Sequence, residues 1–204
     1  MVSLAHGFHD IDDGDVALVV TYLDMTTPPA RVSPRSPEGL VLDRVLQPDI
    51  AANRALYRRI GEEWLWFSRL RQKDAALAAL LHDPAYETYE LRRDGEALGL
   101  LELDLREGSQ VEISFFGVAA GLIGRGAGAF MMGRALHLAW RSGTDRVWLH
   151  TCTADHPRAV EFYMSWGFRP YRRQVEVTRD PRLDGTLGSH AASRVPSVAD
   201  AGQL

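Results

Sequence analysis

The chain has one cysteine in 204 residues, Cys152, so it cannot close a disulfide on itself, and a reducing, cytoplasmic setting is the expectation. Long apolar runs are missing as well. No stretch approaches the roughly 20 residues needed to span a bilayer. The opening MVSLAHGFHDIDDGD turns acidic, without the basic start and apolar core of a secretory leader. No membrane partner is therefore expected. A basic stripe is lacking too: the net charge is −4 with both signs mixed along the chain, which argues against a nucleic-acid partner. Metal ligands are sparse. His150, Cys152 and His156 fall close together, yet no second Cys or His pair stands at zinc-finger spacing, so no metal is expected.

What is present is an ordinary globular composition, 46% hydrophobic and 25% charged, in a length that can bury one full core. Residues 1–14 read as a flexible lead-in and 15–178 as a single domain. Residues 179–204 are rich in Ala, Gly, Ser and Asp and lack aromatics, which marks a disordered tail. Val16 to Met25 is β-branched and apolar enough for a strand. A loop from Thr26 to Gly39 follows, with Pro28, Pro29, Pro34 and Pro37, where helix and central strand are both excluded. Leu40–Leu46 suits a second strand, and Pro48–Ile60 and Lys73–His82 suit helices.

Three strands then form an antiparallel meander: Tyr86–Arg92, Ala97–Arg106 and Val111–Val118. The first two are joined by Asp94-Gly95, a hairpin signal because Gly tolerates positive φ. A long helix from Arg125 to about Arg141, a strand Arg146–Cys152, a short helix Pro157–Trp166 and a strand Phe168–Val177 complete the order. The fold expected is α/β (α+β) in class: a mixed, mostly antiparallel central sheet flanked by helices.

The chemistry gathers at Gly124-Arg125-Gly126-Ala127-Gly128, where a strand gives way to a helix. The first turn of a helix has unpaired N–H groups and about half a positive charge, so anions bind there. The glycines let phosphate oxygens approach the backbone without a Cβ in the way, and Arg125 adds a cation. Each glycine costs about 1 kcal/mol of helix propensity, too much for an idle loop. A P-loop is excluded because no Gly-Lys-Ser/Thr follows. Gly124-x-Gly126-x-x-Ala129 matches the dinucleotide pattern in form. But Asp145, near the distance of a ribose-binding acid, precedes its strand instead of closing it. Nicotinamide chemistry is accordingly not expected.

Two longer stretches carry a resemblance: ISFFGVAAGLIGRGAGAFMMGRAL, and then RVWLHTCTADHPRAVEFYMSWGF. Together they resemble the core of the GNAT superfamily of N-acetyltransferases, best over about residues 86–175. The family's pyrophosphate loop reads Gln/Arg-x-x-Gly-x-Gly/Ala. Gly126 and Gly128 fall on its two small positions, and Ile123 stands where Gln or Arg is usual. His156 replaces the Asn of an Asn-x-x-Ala segment that continues through Ala159 to Tyr163, and Gly167-Phe168 follows.

The resemblance implies acetyl-CoA as acyl donor, without a metal, and a small-molecule or protein amine as acceptor; a homodimer would be ordinary for the family. It implies that Phe116, Gly117 and Val118 hold the donor's arm. Ile123, Gly124, Arg125, Gly126, Ala127, Gly128 and Ala129 would hold its pyrophosphate, with His156, Ala159 and Tyr163 completing the donor site. Tyr163 would protonate the leaving thiolate. For the base that takes the amine proton, Glu112 comes first and Glu102 second. Period-two alternation puts Glu112 on one face with Ser114 and Phe116. Trp64, Trp66 and Phe67 are expected to wall an acceptor slot, with Arg69 available for a carboxylate. The competing reading is a non-catalytic module of the same fold that senses acyl-CoA.

Overall fold

The computed structural model describes residues 4–30 and 34–198. Its strands are β1 (Asp15–Met25), β2 (Val41–Val45), β3 (Tyr86–Arg93), β4 (Glu96–Glu107), β5 (Gln110–Val118), β6 (Arg146–Cys152) and β7 (Arg169–Arg179). The helices are α1 (Ile50–Gly61), α2 (Ser68–Arg71), α3 (Asp74–Leu81), α4 (Ala127–Ala139) and α5 (Ala159–Ser165). Local chemistry explains their ends. The side chain of Asp49 accepts the Ala52 N–H at 2.8 Å and starts α1. Asp94 and Gly95, at φ 52° and 82°, make the tight turn between β3 and β4. Helix α2 was not expected; four residues are too few for a helical period to appear in a sequence.

The seven strands form one sheet in the order β2-β3-β4-β5-β6-β1-β7. Every neighbouring pair is antiparallel except β5 with β6. The fold is thus the mixed, mostly antiparallel α/β arrangement that the sequence implied. Helices lie on both faces. Met131, Met132, Ala135 and Leu136 of α4 pack with Leu101, Leu103, Ile113 and Leu149 in the main core. On the other face, Leu56, Tyr57 and Ile60 of α1 meet Leu100 and Phe115. No helix among the described residues is long and apolar enough to cross a membrane.

Two features of this sheet position everything that follows. The parallel pairing of β5 and β6 covers only Gln110–Glu112 against Arg146–Trp148. Beyond it β5 runs on to Val118 and β6 to Cys152, so the sheet opens into a wedge between them. The second feature is a bulge. Glu102 pairs with Phe115 while Leu103 pairs with Ile113, which leaves Ser114 as an extra residue on β5. Simple alternation fails there. Glu112 does not share a face with Phe116: Phe116 packs on the α4 side with Phe162 and Tyr163, and Phe115 and Gly117 turn toward α1.

Residues 180–198 are packed, where composition pointed to a disordered tail. Arg182 pairs with Asp180 at 2.7 Å, both nearly fully buried, and donates to the Val195 carbonyl at 2.7 Å. Leu187, Ala191 and Ala192 join Leu18, Leu65 and Ala154 in a small apolar cluster. Alanines that look uncommitted in sequence are thus buried here, Ala191 and Ala192 each only 2% exposed. Residues 199–204 of that tail, and 1–3 of the lead-in, lie outside the described residues.

Candidate active site

The Gly-rich turn lies beside the wedge. Gly124 and Gly126 have φ of 75° and 84°, in the left-handed region that favours glycine, and a Cβ on Gly124 would meet open space. Gly126 caps α4 with no side-chain hydrogen bond, so the N–H groups of the first turn are free for an anion. Nearby, a cavity of about 890 Å³ is lined from both faces of the sheet. From the α4 face come Ile123, Gly124, Gly126, Gly128 and Ala129, together with His156, Ala159 and Tyr163. The free edge of β5 contributes Phe116, Gly117 and Val118. Trp64, Trp66, Phe67 and Arg69 line it from the α1 side, with Glu112. The turn, the wedge and the aromatic segment therefore open on one space.

Some expected roles do not fit where the side chains stand. Ala127 is fully buried, and Arg125 is exposed but outside the lining; Arg158 is the cation that lines the cavity beside His156. Glu102 has no exposed surface and does not line the cavity. Its carboxylate accepts from Arg69, from the Tyr86 hydroxyl at 2.6 Å and from Asn53 Nδ2 at 3.0 Å. A base must reach its substrate, and this one is enclosed. The same pair answers the expectation for Arg69: only 2% exposed, its guanidinium is neutralised by Glu102 and lies 4.7 Å from the Phe115 ring centre. Opposite charges that a sequence leaves open to solvent are here committed to each other.

Glu112 remains, and its setting differs. It is partly covered, with Oε1 3.5 Å from His150 Nδ1 on the adjacent strand, and both line the cavity. Tyr163 sits on the opposite side of the wedge. Its ring meets Phe116, Phe162 and Phe168 edge-on. Burial, with the Asp155 charge adding, pushes this phenol well above its ordinary value, so it stays protonated. The Cys152 thiol is pushed up to about 12 by burial and then by Asp155. It is a poor nucleophile at neutral pH.

Asp155 went unnoticed in the sequence. Its Oδ1 accepts from Trp66 Nε1 at 3.0 Å, and its Oδ2 from the Thr151 hydroxyl at 2.6 Å and the Cys152 N–H at 2.8 Å. An Asp just after a strand and before a helix is the available signal, since such residues bond to nearby backbone. Trp66 in turn requires small neighbours. A Cβ on Gly117 would come within 2.6 Å of Ile60 and 2.9 Å of Trp66. The indole is thus seated on β5 and tied to the loop before α5. Trp64 packs 5.3 Å from the His156 ring, and Arg194 lies 4.9 Å from the Trp64 ring centre.

Comparison with known proteins gives a consistent answer. The model of the Acetyltransferase (GNAT) family matches residues 52–168. An uncharacterized N-acetyltransferase of Mycobacterium tuberculosis is 34% identical over 109 residues, 53% of this chain. The chain spans 66% of that relative's length. Among solved structures, a GCN5-related N-acetyltransferase from Kribbella flavida aligns with a TM-score of 0.54 at 18% identity, over 84% of this chain and 63% of that one. An aminoglycoside acetyltransferase from an uncultured soil metagenomic sample gives 0.51 at 18%, over 63% and 88%. At such identities the structural likeness speaks for the fold.

Proposed function

The chain belongs to the GNAT acetyltransferase family, and we propose that it transfers the acetyl group of acetyl-CoA directly to a primary amine. The observation that carries this reading is the wedge between β5 and β6. It opens beside a helix N-terminus suited to phosphate and connects the two faces of the sheet through one cavity. In this reading the pyrophosphate lies on the backbone N–H groups that follow Gly126, with Arg158 near. The pantetheine arm runs along Phe116–Val118, whose outer edge has no strand partner. That brings the thioester into the wedge, where an amine entering from the α1 side can meet it.

Holding the two reactants in line supplies much of the rate. The amine must also lose a proton, and the Glu112 end of the wedge is the side on which it can leave. Tyr163, protonated and buried opposite, supplies a proton to the sulfur as the carbon–sulfur bond breaks. The high position of the Cys152 thiol supports direct transfer over an acyl-cysteine route.

The test measures thiol release from acetyl-CoA with a broad amine panel, followed by mass spectrometry of the products. The expected product is an acetamide about 42 Da heavier than its amine, an acetyl group having replaced a hydrogen. Tyr163→Phe should lower kcat about 10- to 100-fold with little change in acetyl-CoA binding. Tight CoA binding with no thiol release from any amine would turn the reading to an acyl-CoA-binding module.

A further inference from the structure

We propose that His150 is the group that takes the acceptor's proton, through Nε2, and that Glu112 acts as a positioning residue behind it. This inference rests on the acetyltransfer reading and names the atom that reading leaves open. Four observations converge on it. First, the two side chains lie on one sheet face at the root of the wedge. Glu112 and Trp148 form the last pair between β5 and β6, and His150 stands two residues farther along β6. At strand rise that is about 7 Å into the opening.

Second, the ring is oriented. Nδ1 faces Glu112 Oε1 at 3.5 Å, and with Nδ1–H toward the carboxylate, Nε2 is left as an acceptor pointing away. Third, access favours the histidine. The His150 side chain is 45% exposed and that of Glu112 only 20%. His150 also joins the main cavity to a smaller space of about 360 Å³ lined by Tyr22, Gln174 and Glu176. Fourth, the ring packs beside that of Tyr22, whose centre is 5.5 Å away. The groups facing it are Glu112 from β5, Tyr22 from β1 and Glu176 from β7; Arg172, also on β7, lies over the Tyr22 ring at 5.2 Å from its centre.

The step balances. The nitrogen lone pair of a neutral amine attacks the acyl carbon, the carbon–nitrogen bond forms, and the carbon–sulfur bond breaks with its electron pair on sulfur. The amine proton goes to His150 Nε2, and Tyr163 supplies one to the thiolate. Solvent then carries the proton from His150 back to Tyr163. A carboxylate holding an imidazole's Nδ1–H stabilises the imidazolium that forms, which is why such pairs act as bases.

The experiment compares wild type, His150→Gln, His150→Ala, Glu112→Gln and the His150→Gln/Glu112→Gln double variant, using the best amine from the panel. His150→Gln should lower kcat about 100-fold with KM for acetyl-CoA unchanged. Glu112→Gln should lower it about tenfold. In the His150→Gln background, Glu112→Gln should then have little further effect, because a residue acting through another is not additive with it. Free imidazole should restore part of the rate of His150→Ala, which a structural role for the ring would not allow. Calorimetry with acetyl-CoA confirms that each variant still folds and binds. A His150→Gln enzyme within threefold of wild type, or fully multiplicative losses, would overturn the proposal while leaving acetyltransfer standing. A wild type that binds acetyl-CoA but acetylates no amine overturns both.

Discussion

The indole nitrogen of Trp66 and the carboxylate of Asp155, 89 positions apart in the chain, meet in a 3.0 Å hydrogen bond that joins the two walls of the cavity. The same carboxylate holds Thr151 and the Cys152 N–H, so its loss strands several donors together. Asp155→Ala should destabilise the protein by about 1–3 kcal/mol, the penalty of leaving buried donors unmatched. Urea unfolding measures it. Trp66→Phe, which removes one donor and keeps the ring, should cost less; an equal or greater loss would place the energy in packing instead.

Arg69 and Glu102 form the second internal tie. Both are almost entirely buried, and removing one partner leaves the other charged in a low-dielectric site. Arg69→Met or Glu102→Gln should therefore each lower stability by about 3–5 kcal/mol. Denaturation curves of the two variants should show similar losses. A Glu102→Gln protein of native stability but without acetyl transfer would instead return Glu102 to the role of base.

The Gly-rich turn makes a sharper demand. Gly126 sits at φ 84°, and a side chain there adds about 1–2 kcal/mol of backbone strain. Gly126→Ala should weaken acetyl-CoA at least tenfold by calorimetry, through a displaced helix start and a Cβ near the phosphates. Arg125→Ala should weaken it far less, since Arg125 lies outside the cavity lining.

Alkaline pH reports on the buried phenols. Tyr57 is pushed up to about 12 by burial, and Tyr86 and Tyr163 are also raised, again chiefly by burial. Each keeps its proton in the folded protein at pH values where the unfolded chain, near 10, has released it. The folded state then binds more protons, so stability falls as pH rises. The contribution is whole below about pH 10 and, for Tyr57, is lost by about 12, a difference of about 3 kcal/mol. Thermal melts between pH 8 and 11 should show the decline, and Tyr57→Phe should flatten it.

The order of strands and helices was legible because its signals are local. Asp94-Gly95, the proline-rich loop and the Gly124–Gly128 turn each announce themselves within a few residues, and their elements appear where expected. The residues expected around that turn and along the β5 edge also line one cavity, because they lie close to those local signals. What sequence could not carry was commitment at a distance. Nothing within ten residues of Glu102 says that Arg69 will claim it, or that Asp155 will reach Trp66. The Ser114 bulge was hidden for another reason: period-two reading assumes an unbroken ladder, and one extra residue re-aims all that follows. The packed 180–198 segment misled through composition, since its fit depends on a surface built by β1 and the aromatic segment.

The place of β1 has a consequence for how the molecule comes into being. The first strand of the chain lies between β6 and β7, pairing Val20 with Cys152 on one side and with Gln174 on the other. On a growing chain it must therefore wait for well over a hundred residues before either neighbour exists. Such long-range closure raises contact order and slows folding, and an unpaired β-branched strand is exposed to wrong partners in the meantime. The meander β3–β4–β5, joined by short turns, can assemble early. The half of the sheet that contains His150 cannot close until the beginning of the chain is threaded between β6 and β7.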